Sequence, residues 1–249
     1  MKILLVLTVY NEIEITDRCL NIIKQNYPNI DILLIDDYSQ QDIMKSLARK
    51  YKVFYISKVN HPGLTNSWNL GYKFFKENNY DILFISNNDL LIPKNTLNLL
   101  IDNFINNDFL VCVPSSTVKG AGIGKCGIAQ GIAKLDNIDV NNHKNFQIVQ
   151  DHLINNPKYH ELRPTNFFNG FFFGLKKEIS TVEFKPNILF NPRTINLCNE
   201  IDLYNRINAK FKNQNKILHV KHAFIFHFKA VTINIHKRDD LKLIEKKYN

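Results

Sequence analysis

The sequence predicts an α/β protein: a mostly parallel central sheet flanked by helices, in a single compact domain. Strand-length apolar runs alternate with helix-periodic segments over about the first hundred residues, the pattern of successive right-handed crossovers. Polar clusters fall at three of the strand ends, where sheets of this kind bind ligands. The chain has 249 residues, 45% hydrophobic and 12% aromatic, enough to bury a substantial core.

Ile3 to Val9 is a continuous apolar run of strand length, as expected for a strand buried on both faces. Ile13 to Gln25 places Ile15, Cys19, Ile22 and Ile23 at helical spacing, and Pro28 follows its end. Ile30 to Ile35 reads as the second strand, Ile43 to Tyr51 as a short helix and Val53 to Ile56 as the third strand. Asn66 to Glu77 reads as a helix with Leu70, Phe74 and Phe75 inward. Ile82 to Ile85, Asn95 to Ile105 and Leu110 to Val113 complete the alternation as strand, helix and strand. The polar strand ends are Thr8-Val9-Tyr10-Asn11, Asp36-Asp37 and Asn87-Asn88-Asp89.

After Pro114 the pattern loosens. Gly122-x-Gly124-x-x-Gly127 has the spacing of a phosphate loop but opens no helix after a first strand, so a loop over the site or a plain surface excursion is expected instead. Residues 145 to 155 read as a helix, Phe167 to Leu175 as an aromatic run interrupted by Asn169-Gly170, Asn199 to Phe211 as a helix, and Ile217 to Phe228 as one or two strands. No internal repeat or low-complexity linker separates the halves. The expected division is residues 1–114 as a ligand-binding half and 115–249 as the second half of the same domain.

The net charge of +9 favours anionic partners. Lys237, Arg238, Lys242, Lys246 and Lys247 are interrupted by Asp239, Asp240 and Glu245, which reads as a solvated helix more than a nucleic-acid patch. Cys19, Cys112, Cys126 and Cys198 show neither zinc-ligand spacing nor a disulfide framework, and Cys112 reads as a buried thiol. The opening MKILLVLTVYNE lacks a small-residue cleavage site and reads as a strand, not a signal peptide. No apolar run approaches the roughly 20 residues of a spanning helix. A soluble, cytoplasmic protein is expected, with peripheral contact to a membrane face allowed by its charge.

Several residue groups have the chemistry of a site, each beside a plainer reading. A carboxylate at Asp36-Asp37 suits a uracil or thymine N–H or a ribose hydroxyl, and equally a helix cap with Ser39 and Asp42. Asp89 with its Asn neighbours offers oxygen ligands to magnesium or manganese, or a turn. Glu200 and Asp202 stand two apart on a helix and point in different directions, so one can face a site while Asp202 pairs with Arg206. His222 and His227 have odd spacing and would face opposite sides of one strand. Asn169-Gly170 is a turn that can shape a pocket.

Taken together, these motifs resemble the family 2 glycosyltransferases of the GT-A (Rossmann-like) fold. LTVYNE is similar to the family's first strand and nucleotide loop, and LLIDDYS resembles its V-[IV]-D-D-x-S element. Asn60-x-x-Gly63 with Asn66-Ser67-Trp68-Asn69-Leu70-Gly71 resembles its N-x-G-x-x-x-A-x-N-x-G stretch. FISNNDLLIP resembles the strand bearing the metal-binding DxD motif, with Asn87 in place of the first Asp. Asn169-Gly170-Phe171-Phe172 resembles the acceptor-side segment. Asn199-Glu200-Ile201-Asp202-Leu203 resembles the E-D-x-D-L helix that holds the catalytic base, with Asn199 in place of an acid. His227-x-x-x-x-Thr232 resembles a late histidine that helps hold metal or diphosphate.

The resemblance spans about residues 2 to 232. It implies an enzyme that moves a sugar from a nucleotide-diphosphate donor to an acceptor hydroxyl with inversion, using Mn2+ or Mg2+. Thr8, Tyr10, Asn11, Glu12, Asp37, Asn69 and Asn88 would bind the nucleotide. Asp89 and His227 would hold the metal, Asn169 and Gly170 would line the acceptor, and Glu200, which matches the position of the family's catalytic aspartate, would be the base, with Asp202 as the alternative. Lys229 would add charge near the leaving group. The Asn-Asn-Asp variant resembles members that transfer deoxysugars such as rhamnose. The acceptor would be a glycan, a lipid-linked hydroxyl or another hydroxyl. The net charge also permits a nucleic-acid acceptor such as a DNA base, and the incomplete acidic motifs permit a nucleotide-sugar-binding protein without catalysis. A nucleotidyltransferase would carry a glycine-rich loop where Val9-Tyr10-Asn11-Glu12 has no glycine.

Overall fold

The computed structural model of the chain describes residues 1–40, 42–60, 63–121, 130–194, 199–212 and 214–228. The first half runs β1 (Ile3–Val9), α1 (Ile13–Asn26), β2 (Asp31–Asp36), α2 (Ile43–Tyr51), β3 (Phe54–Ser57), α3 (Leu64–Glu77), β4 (Ile82–Asn87), β5 (Leu90–Leu91), α4 (Thr96–Asn106) and β6 (Val111–Thr117). Then follow α5 (Val118–Ala121), β7 (Gly131–Ile132), α6 (Phe146–Asn155), β8 (Leu162–Thr165), β9 (Phe172–Lys176), α7 (Asn199–Lys210), β10 (Ile217–Phe224) and β11 (Phe226–His227). The expectations placed on Gly122, Gly124, Gly127, Cys126, Cys198, Lys229, Thr232 and the charged C-terminal segment lie outside the described residues.

The main sheet has the order β3-β2-β1-β4-β9-β6-β10-β8, with β7 beside β6. β1 pairs in parallel with β2 on one side and β4 on the other, so that Thr8 lies opposite Asn87 and Val9 opposite Asp36. That register brings three polar strand ends to one edge of the sheet. The pairing is mostly parallel, as the alternation predicts. The exceptions come from the second half: β9 enters antiparallel between β4 and β6, and β8 closes the far edge antiparallel to β10. A central strand is thus supplied by residues beyond Pro114. β6 itself continues past Pro114 to Thr117, because pairing with β9 has stopped at Cys112 and no antiparallel partner needs the missing proline N–H.

β1 shows why both faces must be apolar. Leu5, Leu7 and Val9 join a core with α1, α2 and α4, while Leu4 and Val6 join a second core with α3 and α7. In α1 the buried stripe is Thr16, Cys19, Leu20 and Ile23, turned slightly from the expected one. Thr16 goes inward because its hydroxyl donates to the Glu12 carbonyl and accepts from Asn88. In α3 the fully buried face is Trp68, Gly71, Tyr72 and Phe75, whereas Leu70 and Phe74 are only half-buried at its flank. The helix is drawn in at Gly71, where an added Cβ would come 2.7 Å from Val6 Cγ1. Cys19 and Cys112 are free and buried, as read for Cys112.

His222 and His227 do not share a strand. β10 ends at Phe224, and after Ile225 the chain joins a separate two-stranded ribbon with β5, pairing Phe226 with Leu91 and His227 with Leu90. The irregular end of β10 is held by Gln150, whose amide N–H donates to the His222 carbonyl while its carbonyl accepts from Phe224 N–H, each at 2.7 Å. Among the described residues no helix is long and apolar enough to cross a membrane.

Candidate active site

The strand ends are knitted to one another by their loops. Asn11 N–H donates to Ser39 Oγ (2.8 Å), and Asn11 Oδ1 accepts from Gln40 N–H (2.9 Å). Asn11, Glu12, Ile13, Ser39, Gln40, Ile43 and Met44 line a pocket between the two loops. Asn11 and Glu12 both have positive φ (54° and 38°), so the chain reverses sharply out of β1. Thr8 is buried in the strand end, and Tyr10 follows at the rim, half-buried.

The two aspartates at the end of β2 take different roles. Asp36 is a loop cap: Oδ1 accepts from Ser39 N–H and Oδ2 from the Tyr55 hydroxyl, both at 2.9 Å. Asp37 is buried and forms an ion pair with Lys58, the residue after β3. Lys58 Nζ also donates to Ser67 Oγ (2.8 Å) and the Gly63 carbonyl (3.1 Å). Burial pushes the Lys58 pKa down, against the opposing pull of Asp37. Nothing in the spacing of Lys58 marks it beforehand; it enters through the parallel register of β2 and β3.

At the end of β4 the two asparagines and the aspartate also diverge. Asn88 turns down to donate to Thr16 Oγ1 (2.9 Å), so it braces the start of α1. Asp89 is buried, and its Oδ1 stands 3.3 Å from His227 Nε2. The ribbon of β5 and β11 produces this meeting, and Phe228 N–H donating to the Asp89 carbonyl closes it. His227 Nδ1 lies 2.7 Å from the Gly120 carbonyl. A carbonyl only accepts, so Nδ1 carries the proton, and in the neutral ring the Nε2 lone pair faces the Asp89 carboxylate. Phe171 stacks on the imidazole at 5.1 Å and fixes its plane.

Glu200 approaches from the first turn of α7. An added Cβ on Gly170 would fall 3.1 Å from Glu200 Oε2 and 2.9 Å from the Trp68 ring, so the turn and the carboxylate are in close contact. Burial raises the Glu200 pKa, and the backbone N–H groups of Glu200 and Gly170 pull it partly back. Asp202 turns away: it pairs with Arg206 at 2.8 Å, and Arg206 in turn donates to the carbonyls of Leu189 and Val182. Asn169 N–H donates to Gln130 Oε1 (2.8 Å), whose amide holds the Pro114 carbonyl (3.1 Å). Asn69 has both amide atoms on the Phe190 backbone, each at 2.9 Å.

The structure therefore brings Asp89 to His227 and Glu200 to Gly170. Thr8, Tyr10, Asn11, Glu12 and Asp37 stand along the strand ends. Asn69, Asn88 and Asp202 have their side chains engaged by protein partners. Among the described residues no three His, Cys, Asp or Glu side chains cluster as a protein-only metal site. Lys58, Trp68 and Gln130 complete the site without having been singled out by sequence. Of these, Trp68 had a signal, as a lone tryptophan inside a recognised motif.

Comparison with known proteins agrees with this architecture. A mannosyltransferase from Pyrobaculum calidifontis, in complex with GDP-Man and Mn2+, is 12% identical with a TM-score of 0.61, over 95% of this chain and 60% of that one. GalNAc-T7 with UDP, GalNAc and Mn2+ is 15% identical with a TM-score of 0.65, over 91% of this chain and 43% of that one. The chain thus spans about half the length of these two proteins. Glucosyl-3-phosphoglycerate synthase from Mycobacterium tuberculosis, with Mn2+, UDP and glucosyl-3-phosphoglycerate, is 11% identical with a TM-score of 0.53, over 94% of this chain and 74% of that one. No curated protein matches the sequence. The family described as glycosyl transferase family 2 matches residues 4–180, most of the chain, and the chain belongs to that family.

Proposed function

We propose that this chain transfers a hexosyl or deoxyhexosyl unit from a nucleotide-diphosphate sugar to an acceptor hydroxyl, with inversion and with a divalent cation. The observation that carries the reading is the Asp89–His227 pair. A buried carboxylate oxygen and an imidazole nitrogen face each other at 3.3 Å, and the other ring nitrogen is committed to a carbonyl. That is the donor set and the supporting contact expected of a cation site with part of its coordination left to phosphate and water. Mn2+ or Mg2+ held there would neutralise the diphosphate as it departs. The three similar structures described above each contain Mn2+ and a nucleotide or nucleotide sugar, which supports the same assignment here.

In this reading residues 1–114 grip the donor: Thr8, Tyr10, Asn11, Glu12 and Asp37 directly, with Asn88 bracing the start of α1 and Asn69 holding the backbone at Phe190. Residues 115–249 supply the base and the acceptor side. Glu200 takes the acceptor's hydroxyl proton. The oxygen then attacks the anomeric carbon opposite the diphosphate, the bond to the diphosphate breaks, and the nucleotide leaves with that electron pair. Burial suits Glu200 to this, because a carboxylate with a raised pKa binds the proton more firmly. Asp202, already paired with Arg206, positions the helix. Asn169 and Gly170 shape the acceptor pocket.

The test is a thermal-shift panel of nucleotide sugars with manganese and with EDTA, since a ligand that binds the folded state raises Tm. At least one donor should stabilise the protein in manganese and lose most of that effect in EDTA. Asp89→Ala should abolish both the metal-dependent shift and transfer. Full turnover by Asp89→Ala would remove the metal assignment.

A further inference from the structure

Tyr38 is out of place in two respects. Its φ is 68°, a left-handed conformation that bulky side chains rarely adopt, and it is the one aromatic residue with positive φ among the described residues. It is also 56% exposed, two residues past the end of a strand buried from Ile32 to Asp36. The neighbours hold it there. Asp36 takes the N–H of Ser39, Ser39 Oγ takes the N–H of Asn11, and Asp37 is locked to Lys58. Strain of this kind persists where the surroundings over-determine it, and it concentrates at ligand clamps. Asn11 and Glu12, the next positive-φ residues along this edge, border the same loop.

Tyr38 follows the buried Asp37–Lys58 pair directly. On the neighbouring strand end Val59, which follows Lys58, is 90% exposed. Asp36 and Ser57 are register partners, and Lys58 N–H donates to the Asp36 carbonyl at 3.0 Å, so Tyr38 and Val59 leave the sheet at matching steps. A carboxylate at the floor, fixed by an ammonium whose donors go to protein acceptors, with exposed groups of apolar body beyond it, matches a flat heterocycle with an N–H on its edge.

We propose that Tyr38 is a specificity-determining residue that stacks on the nucleobase of the donor, whose edge meets the carboxylate of Asp37, held in place by Lys58. This rests on the strand-end crevice being the nucleotide site. Stacking requires the ring, not the hydroxyl, and the strained backbone is what aims the ring.

The variants are Tyr38→Phe, Tyr38→Asn and Tyr38→Gly. The probes are UDP, GDP, CDP, dTDP and inorganic pyrophosphate, each titrated calorimetrically with manganese. Tyr38→Phe should bind the preferred nucleotide as the wild type does. Tyr38→Asn and Tyr38→Gly, which accept the left-handed backbone without a ring, should bind it about 5- to 100-fold more weakly. Pyrophosphate affinity should be unchanged, and Tm should not fall, because both residues tolerate this φ. Wild-type affinity in the ringless variants, or an equal loss for pyrophosphate, would overturn the stacking role while leaving the nucleotide site intact. If the wild type binds none of the nucleotides, the site reading fails and this inference falls with it.

Discussion

Gly170→Ala tests the placement of Glu200 without touching its chemistry. The new methyl group would sit 2.9 Å from Trp68 Cη2 and 3.1 Å from Glu200 Oε2, where ordinary contact begins at 3.4 Å. Something must therefore yield by about 0.3–0.5 Å. Trp68 is poorly able to, since its ring is wedged between Phe173 at 5.3 Å and Phe190 at 5.0 Å. The displacement falls on the carboxylate, which also loses part of its contact with the Gly170 N–H. Overpacking of this size costs about 1–3 kcal/mol, and Tm falls by about 2–4 °C for each of these in a chain of this length. Misplacing a catalytic group by a fraction of an ångström should lower transfer by about 10- to 100-fold. Nucleotide affinity should be unchanged, because the strand ends are untouched. The assays are a transfer rate and a thermal shift with nucleotide, run on Gly170→Ala, Trp68→Phe and the double variant. Trp68→Phe removes the atom that collides, together with an indole N–H that is buried without a hydrogen-bond partner, so the double variant should recover both stability and rate. Unimpaired transfer by Gly170→Ala, or additive losses in the double variant, would refute the packing argument and the position it assigns to Glu200.

Glu200→Gln should keep donor binding and lower transfer by about 10²- to 10⁴-fold, while Asp202→Asn should affect mainly stability; the reverse result would make Asp202 the base. Wild-type transfer should rise with pH through the Glu200 pKa, which burial holds above the usual glutamate value, and a steady-state pH profile reads this directly. The stability sign runs the other way: a raised folded pKa stabilises the fold below the unfolded pKa, and that contribution is lost as pH rises through the folded one, so Glu200→Gln should melt no lower than wild type at neutral pH. Lys58→Met removes the ammonium from the buried Asp37 carboxylate and should cost about 3–5 kcal/mol in urea unfolding, with Asp37→Asn in the same chain recovering most of it; a cost under about 1 kcal/mol would mean that the pair is solvated.

The parallel half of the fold was legible because its signals are local. β1 and α2 begin and end where apolar period and flanking residues place them, and α1, β2, β3 and α4 differ by a residue at their ends. What escaped depends on long-range pairing. β9 reads as an aromatic run, but its antiparallel place between β4 and β6 follows from packing, such as Gly174 against Phe84 and Phe104. The two-residue strands β5 and β11 have no period at all, so the break between His222 and His227 could not be read along the chain. The site divided in the same way. Asp37, Asp89 and Glu200 stand in motifs with strong residue preferences. Lys58 and Gln130 act through contacts made across 21 and 39 residues, respectively, and no local signal carries that information.

One short segment explains why the loosely patterned half matters to the tightly patterned one. Asn169 is anchored to Gln130, Gly170 touches Trp68 and Glu200, and Phe171 stacks on His227 while its carbonyl accepts from Asn87 N–H at 3.1 Å. Three consecutive residues thus touch the end of β4, the helix bearing Glu200 and the ribbon bearing His227. Asp89 follows the end of β4 and is tied by its carbonyl to Phe228 N–H, His227 reaches it through β11, and the plane of the imidazole is set by Phe171. A cation between them would therefore couple the donor half to the acceptor half. Its binding should stiffen the turn at Gly170 as well as the strand end at Asp89, because Phe171, whose ring stacks on the imidazole, directly follows Gly170 in the chain.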